Sequence, residues 1–174
     1  MSGSAASLAG VESALAANDV AGYQTALRRV RLGYAVVYGF GGIPLLYMGD
    51  ELALLNDRTY LDEPAHAEDN RWMHRPAMPW DRAGRRGDPH SIEGTMHAMV
   101  RHLADVRRSL PALHAAVESR PVETSNRSVL GVVRRHAAGD VVQLYNCSND
   151  WQYVDDWALG TLQHSELVDR LGFD

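Results

Sequence analysis

The sequence predicts an α/β segment followed by a small antiparallel β module, and three observations carry that class. A helical stripe ends in a Gly-broken turn and a continuously apolar run, Ile43 to Met48. Beyond Pro111 the pattern changes to β-branched, partly alternating runs. The 174 residues suffice for one domain or two small ones with a genuine core. They fall short of the about 250 that a complete (β/α)8 barrel takes.

The elements follow in order. Residues 4–17 are Ala-rich, with Leu8, Val11 and Leu15 at helical spacing, and close at Asn18 and Asp19. Either of these caps a second helix, roughly 20–38, whose stripe is Leu27, Val30, Tyr34 and Val37. Gly39, Gly41 and Gly42 break it. The run from Ile43 to Met48 is too short for a helix and suits a strand buried on both faces. Helix, tight turn and apolar strand form the α-to-β step of a barrel or a doubly wound sheet.

Residues 49–92 lack a period and are rich in Asp, Arg, Pro, His and Gly. A loop of that length inside a compact domain is usually functional or disordered. A third helix, roughly 92–109, aligns Met96, Val100, Leu103 and Val106 before Pro111 stops it. Val129–Arg135 and Asp140–Cys147 then read as strands joined by the turn Ala137-Ala138-Gly139-Asp140. Gln152–Trp157 is a further predicted strand. The β module begins near residue 112.

Composition narrows the function classes. A net charge of −5 gives no reason to expect nucleic acid or an anionic membrane surface. The mean hydropathy of −0.28 and the lack of an apolar run near 20 residues argue against a membrane span. All 17 basic residues are Arg, scattered along the chain, which reads as the bias of a GC-rich gene. The opening Met-Ser-Gly-Ser-Ala has neither basic nor apolar region of a signal peptide. Cys147 is alone, which excludes an intramolecular disulfide and fits a reducing cytoplasm. It sits in an apolar run and reads as an inert core thiol.

Among chemistry-bearing residues, Asp50 and Glu51 are adjacent, so in extended chain they point to opposite sides and do not flank one glycosidic bond. A structural role, capping the loop or pairing with an Arg, is the reading for both. His66, Glu68, Asp69 and His74 are metal-ligand types at a spacing that matches no zinc or calcium pattern. Arg71 and Arg75 flank Trp72 and His74. Trp offers a flat face for a sugar ring and Arg several fixed donors for hydroxyls. A Trp anchoring a long loop beside a surface ion pair explains the same residues, and both readings stand. There is no G-x-S-x-G, and Gly39–Gly42 lacks the order of a phosphate cradle.

Gly41-Gly42-Ile43-Pro44-Leu45-Leu46-Tyr47-Met48-Gly49-Asp50-Glu51 resembles the eighth strand of the catalytic barrel in family 13 glycoside hydrolases, the α-amylase superfamily. Asp69-Asn70-Arg71-Trp72-Met73-His74-Arg75-Pro76 is similar to the Asp-Ser-Arg-Trp-x-His-Arg-Pro of the amylosucrase and sucrose hydrolase branch, with Asn70 in place of Ser. Ser2 to Gly10 resembles a late barrel segment of that branch, and Asp88-Pro89 with the following helix its eighth helix.

The resemblance implies that residues 1–111 are the C-terminal end of an incomplete (β/α)8 barrel. Residues 112–174 are then a truncated β-rich C-terminal domain. It implies a parent enzyme that cleaves sucrose by retaining double displacement, passing glucosyl to an α-glucan or to water. The nucleophilic Asp, the acid/base Glu and a third Asp would lie upstream of this chain, leaving it no catalytic residue. Arg71 matches a donor on the acceptor side of the scissile bond and is the one substrate-binding residue carried over. No cofactor or metal is implied, and the partners are sucrose or an α-glucan.

Both ends look cut: Met1 stands where the family has Val, as a GUG codon read at initiation gives, and the final strands are missing. Three functions follow as expectations. One is an enzyme fragment, inactive alone and prone to self-association because a lone eighth strand leaves Ile43, Leu45 and Leu46 wet. Another is a non-catalytic carbohydrate-binding or interaction module, with Trp151, Tyr153 and Trp157 as its aromatic platform. The last is the product of a degenerate gene.

Overall fold

A computed structural model describes residues 2–155 and 167–172. It contains several helices and one small three-stranded antiparallel sheet. The chain divides into two compact units, Met1–Arg31 with Leu46–Val100 and Leu32–Leu45 with Arg101–Asp174.

In the first unit, the expected helix over 4–17 is two short ones, α1 (Ala5–Ala9) and α2 (Val11–Ala16). Gly10 lies between them at φ 106°, a left-handed conformation that glycine adopts without strain. The break rotates the inward face. Ala6, Val11 and Ala14 are buried, whereas Leu8 and Leu15 of the expected stripe are exposed. Ser4 caps α1, its Oγ accepting from Ser7 N. Asp19 caps α3 (Val20–Gly39) through Oδ1, which accepts from Gly22 N at 2.9 Å. Ala26 and Val30 are the buried residues of α3 in this unit.

Residues 49–91 fold without sheet into 3-10 turns and the short helix α4 (Trp80–Gly84), with a small core of Leu52, Leu54 and Ala83. Side-chain bonds bind this stretch to α1. Asn56 Oδ1 accepts from Ser4 N at 2.9 Å, and Ser7 Oγ accepts from Asn56 N at 2.9 Å. Helix α5 (Ile92–Ser109) begins at Ser91, whose Oγ accepts from Gly94 N. The carboxylate of Glu93 is buried in its first turn, and Arg82 Nε donates to it at 2.7 Å. Burial acts to raise the Glu93 pKa. The Arg82 hydrogen bond, with the charges of Arg82 and Arg85, outweighs that and lowers it.

In the second unit, β1 (Arg120–Val122), β2 (Val129–Arg134) and β3 (Val141–Asn146) pair antiparallel with β2 in the middle. Val133 faces Arg120 on one side and Val142 on the other. Gly131 is required there, because a Cβ would lie 2.7 Å from Thr124 Cγ2 and 2.8 Å from the Val122 carbonyl oxygen. Val132, Val133 and Tyr145 are buried. Arg135 and Asp140 close the β2–β3 turn at 2.9 Å, with Gly139 at φ 130°.

Three expectations are corrected. The run Ile43 to Met48 is not a buried strand: it makes no sheet pairing, and Ile43 and Leu45 are 87% and 78% exposed. A strand exists only where a second backbone satisfies its N–H and C=O groups, and none lies alongside among the described residues. Cys147 stands just past the end of β3 and is exposed rather than buried. Residues 152–155 form no strand, and the rest of the expected strand, with Trp157, lies outside the described residues.

Candidate functional site

The arginine- and aromatic-rich segment forms a tight turn. Asp69 starts a 3-10 turn, Asn70–His74, by accepting from Arg71 N at 3.0 Å. The same carboxylate takes the Arg71 side chain, with Nε at 2.8 Å from Oδ1 and the NH2 nitrogen at 2.8 Å from Oδ2. This two-pronged geometry suits a planar guanidinium. The Arg71 hydrogen bonds, side chain first and then backbone, hold the Asp69 pKa down at about 2. The Arg71 side chain is 66% exposed.

Trp72 and His66 stack with ring centroids 3.7 Å apart and planes 22° apart. The guanidinium carbon of Arg75 lies 5.9 Å from the Trp72 ring centroid. His74 meets the edge of Tyr47 at 5.8 Å, and Met73 O accepts from Asp57 N at 2.8 Å. One face of Trp72 is therefore used to hold the loop, which gives structural weight to the anchoring reading. His66 is a stacking partner, and no group of three or more metal-ligand residues converges among the described residues.

Glu51 takes a structural role. Its Oε2 accepts from Gly49 N at 2.9 Å, fixing a turn in which a Cβ on Gly49 would lie 2.5 Å from Leu54 Cδ1. What the turn offers chemically is a fixed guanidinium beside an aromatic ring, without a nucleophile poised against a base. Sequence reasoning placed Arg71 and Trp72 but missed the roles of Asp69 and His66. The signal for Asp69 was available: an acidic residue opening a turn two positions before an Arg both caps the turn and reaches the side chain. His66 had no such signal, because six residues of irregular backbone separate it from Trp72.

Two further aromatics, Trp151 and Tyr153, are 91% and 89% exposed. Asn126 Nδ2 donates to Tyr153 O at 3.0 Å and to Gln152 Oε1 at 2.9 Å, which fixes the backbone beneath them. Among the described residues no helix is long and apolar enough to cross a membrane. The chain matches no family model.

Proposed function

We propose that this chain is part of a sucrose-acting, retaining α-glucosyl transferase or hydrolase of the amylosucrase type, residues 1–111 belonging to its catalytic barrel and 112–174 to a β-rich C-terminal domain, and that it is inactive by itself. The observation that carries the reading is the Arg71 fork, within a segment whose sequence resembles that branch's. Asp69 engages Nε and one terminal nitrogen. The other terminal nitrogen has no hydrogen-bond partner among the described residues, on a side chain that is 66% exposed. With its charge offset by Asp69, that edge suits a neutral hydroxyl better than a second anion. A sugar on the acceptor side of a glycosidic bond is a ligand of that kind.

In this reading the covalent chemistry belongs to carboxylates supplied from outside these residues, since a retaining displacement needs a nucleophile and an acid across the sugar. The exposed run at Ile43 and Leu45 fits a strand whose neighbours come from the same missing part, and makes self-association the default of the isolated chain. A cytoplasmic location accompanies this reading.

Two measurements test it. The purified chain should release no glucose or fructose from sucrose above a buffer control. Robust turnover abolished by Arg71→Ala would place the chemistry here and sink the proposal. Co-expression with the preceding barrel region of a sucrose-acting family 13 enzyme should restore turnover that depends on Arg71. Complexes that form without any activity would count against the assignment.

A second reading draws on Trp151 and Tyr153, whose exposed rings two residues apart suit stacking on glucan. Retention of the chain on insoluble α-glucan, lost in Trp151→Ala and kept in Arg71→Ala, would favour a binding module instead.

A further inference from the structure

The sheet of the second unit has two edges of different build. Cys147 N donates to Ser128 O at 2.8 Å, one step beyond the pairing of Val129 with Asn146. In an antiparallel ladder, hydrogen-bonded pairs alternate with pairs that do not bond to each other. Tyr145, Gln143 and Val141 therefore direct their backbone groups at β2, across from Leu130, Val132 and Arg134. The N–H and C=O groups of Val142, Leu144 and Asn146 point the other way, along the outer edge of β3. No further strand and no hydrogen bond meets them among the described residues.

The β1 edge is blunted. By the same alternation, Arg120 and Val122 bond to β2 across from Val133 and Gly131, which leaves Pro121 facing outward. Proline lacks the N–H that a further strand would need. Arg120 is charged and holds Glu118 at 2.9 Å. Short edges carrying charge and proline are how folded proteins discourage strand addition. β3 has none of these devices: its six residues, Val-Val-Gln-Leu-Tyr-Asn, include no charge and no proline. Helix α3 meets one face of the sheet, where the Tyr145 hydroxyl donates to Ala35 O at 3.3 Å and Arg134 NH1 to Gly39 O at 3.0 Å. Val142, Leu144 and Asn146 lie on the opposite face, with Leu144 43% exposed.

We propose that the outer edge of β3 docks a second copy of this chain, the two β3 strands pairing antiparallel about a two-fold axis to join both sheets into one. A two-fold contact needs one patch that complements itself, and the outward residues are spaced evenly about Leu144. Leu144 of one copy falls opposite Leu144 of the other, and Val142 opposite Asn146. Outward N–H groups meet outward C=O groups, giving about six new hydrogen bonds. The two Leu144 side chains touch across the axis, and no charge opposes its like. A second copy is favoured over a foreign strand because every copy carries the matching pattern. The blunted β1 edges end the joined sheet on both sides, so the product is a dimer rather than a fibre.

Register-specific cross-linking of the full chain tests this. In a Cys147→Ser background, Leu144→Cys should form an intermolecular disulfide under mild oxidation, because facing Cα atoms of a hydrogen-bonded pair are about 5.5 Å apart. Val142→Cys in the same background should not, since its counterpart lies about 14 Å away along the strand. Mixing Val142→Cys chains with Asn146→Cys chains should restore the cross-link. Sedimentation velocity is the second readout, on a chain carrying Ile43→Asp and Leu45→Asp so that the exposed run does not contribute. That chain should still dimerise reversibly, and adding Leu144→Lys should abolish the dimer without changing the circular dichroism spectrum. In the resulting monomer the Val142 and Asn146 amides should exchange rapidly with solvent. Protection there would mean that one chain covers its own edge, and overturns the proposal. So does a Leu144→Cys chain that fails to cross-link, a Val142→Cys chain that cross-links as readily, or a dimer that survives Leu144→Lys. A monomeric wild type that takes an uncharged extended peptide at these amides overturns it too, in favour of a foreign strand.

Discussion

Ile43 to Met48 and Val129 to Arg134 are both six residues long and rich in apolar side chains, yet they end in opposite states. Val129–Arg134 has a strand on each side and buries Val132 and Val133. The earlier run has no strand beside it and leaves Ile43 and Leu45 in solvent. The difference lies in where the partners come from. β1 and β3 are neighbours in sequence, reached through short connections, so local chain completes the ladder at little loop-closure cost. The earlier run is followed by a long polar loop held by side-chain bonds at Asn56 and Asp69, and nothing nearby in sequence reads as a strand that would flank it.

The sharpest way to break this comparison is to attack the ladder. Gly131→Val forces a side chain into Thr124 and Val122 and should cost about 3 kcal/mol, measured by chemical denaturation. A loss under about 0.5 kcal/mol would mean the sheet does not organise its unit. Asn56→Ala leaves Ser4 N without its side-chain acceptor and should cost about 1 kcal/mol by the same measurement.

Placing Asp at both Ile43 and Leu45 should change unfolding stability by less than about 0.5 kcal/mol, because neither side chain is packed. It should reduce concentration-dependent association in sedimentation velocity. Unchanged association would show that the run is not the adhesive surface.

The smallest effect concerns the turn. Asp69 should titrate near 2 by carboxyl NMR and move up toward the ordinary 3.8 in Arg71→Ala. A folded-state pKa below the unfolded one stabilises above the unfolded value, and that stabilisation fades as pH falls through the folded value. The Asp69 contribution should thus be intact above about pH 4 and gone below about pH 2. A wild-type midpoint near 3.8 would mean that Asp69 does not hold the Arg71 guanidinium.

Local signals carried much of the fold. The caps at Asp19 and Ser91 and the 3.6-residue stripe of Met96, Val100 and Leu103 mark α3 and α5 because those cues act within one or two turns. The Gly139 turn between alternating β-branched runs marks the β2–β3 hairpin for the same reason. Gly10 was available too, but an Ala-rich helical period around it hid the break.

The candidate site was legible as a list of residue types, Arg71, Trp72, His74 and Arg75, without the arrangement that Asp69 and His66 impose on it. Sequence by itself determined where backbone is helical or suited to strands, because propensity, capping and periodicity are short-range. Only the tertiary structure decided that Ile43 to Met48 is unpaired, that Arg71 is neutralised by Asp69, and that Arg134 is buried among carbonyls from distant segments. Pairing, neutralisation and burial depend on which groups meet across long stretches of chain, and no local pattern records that.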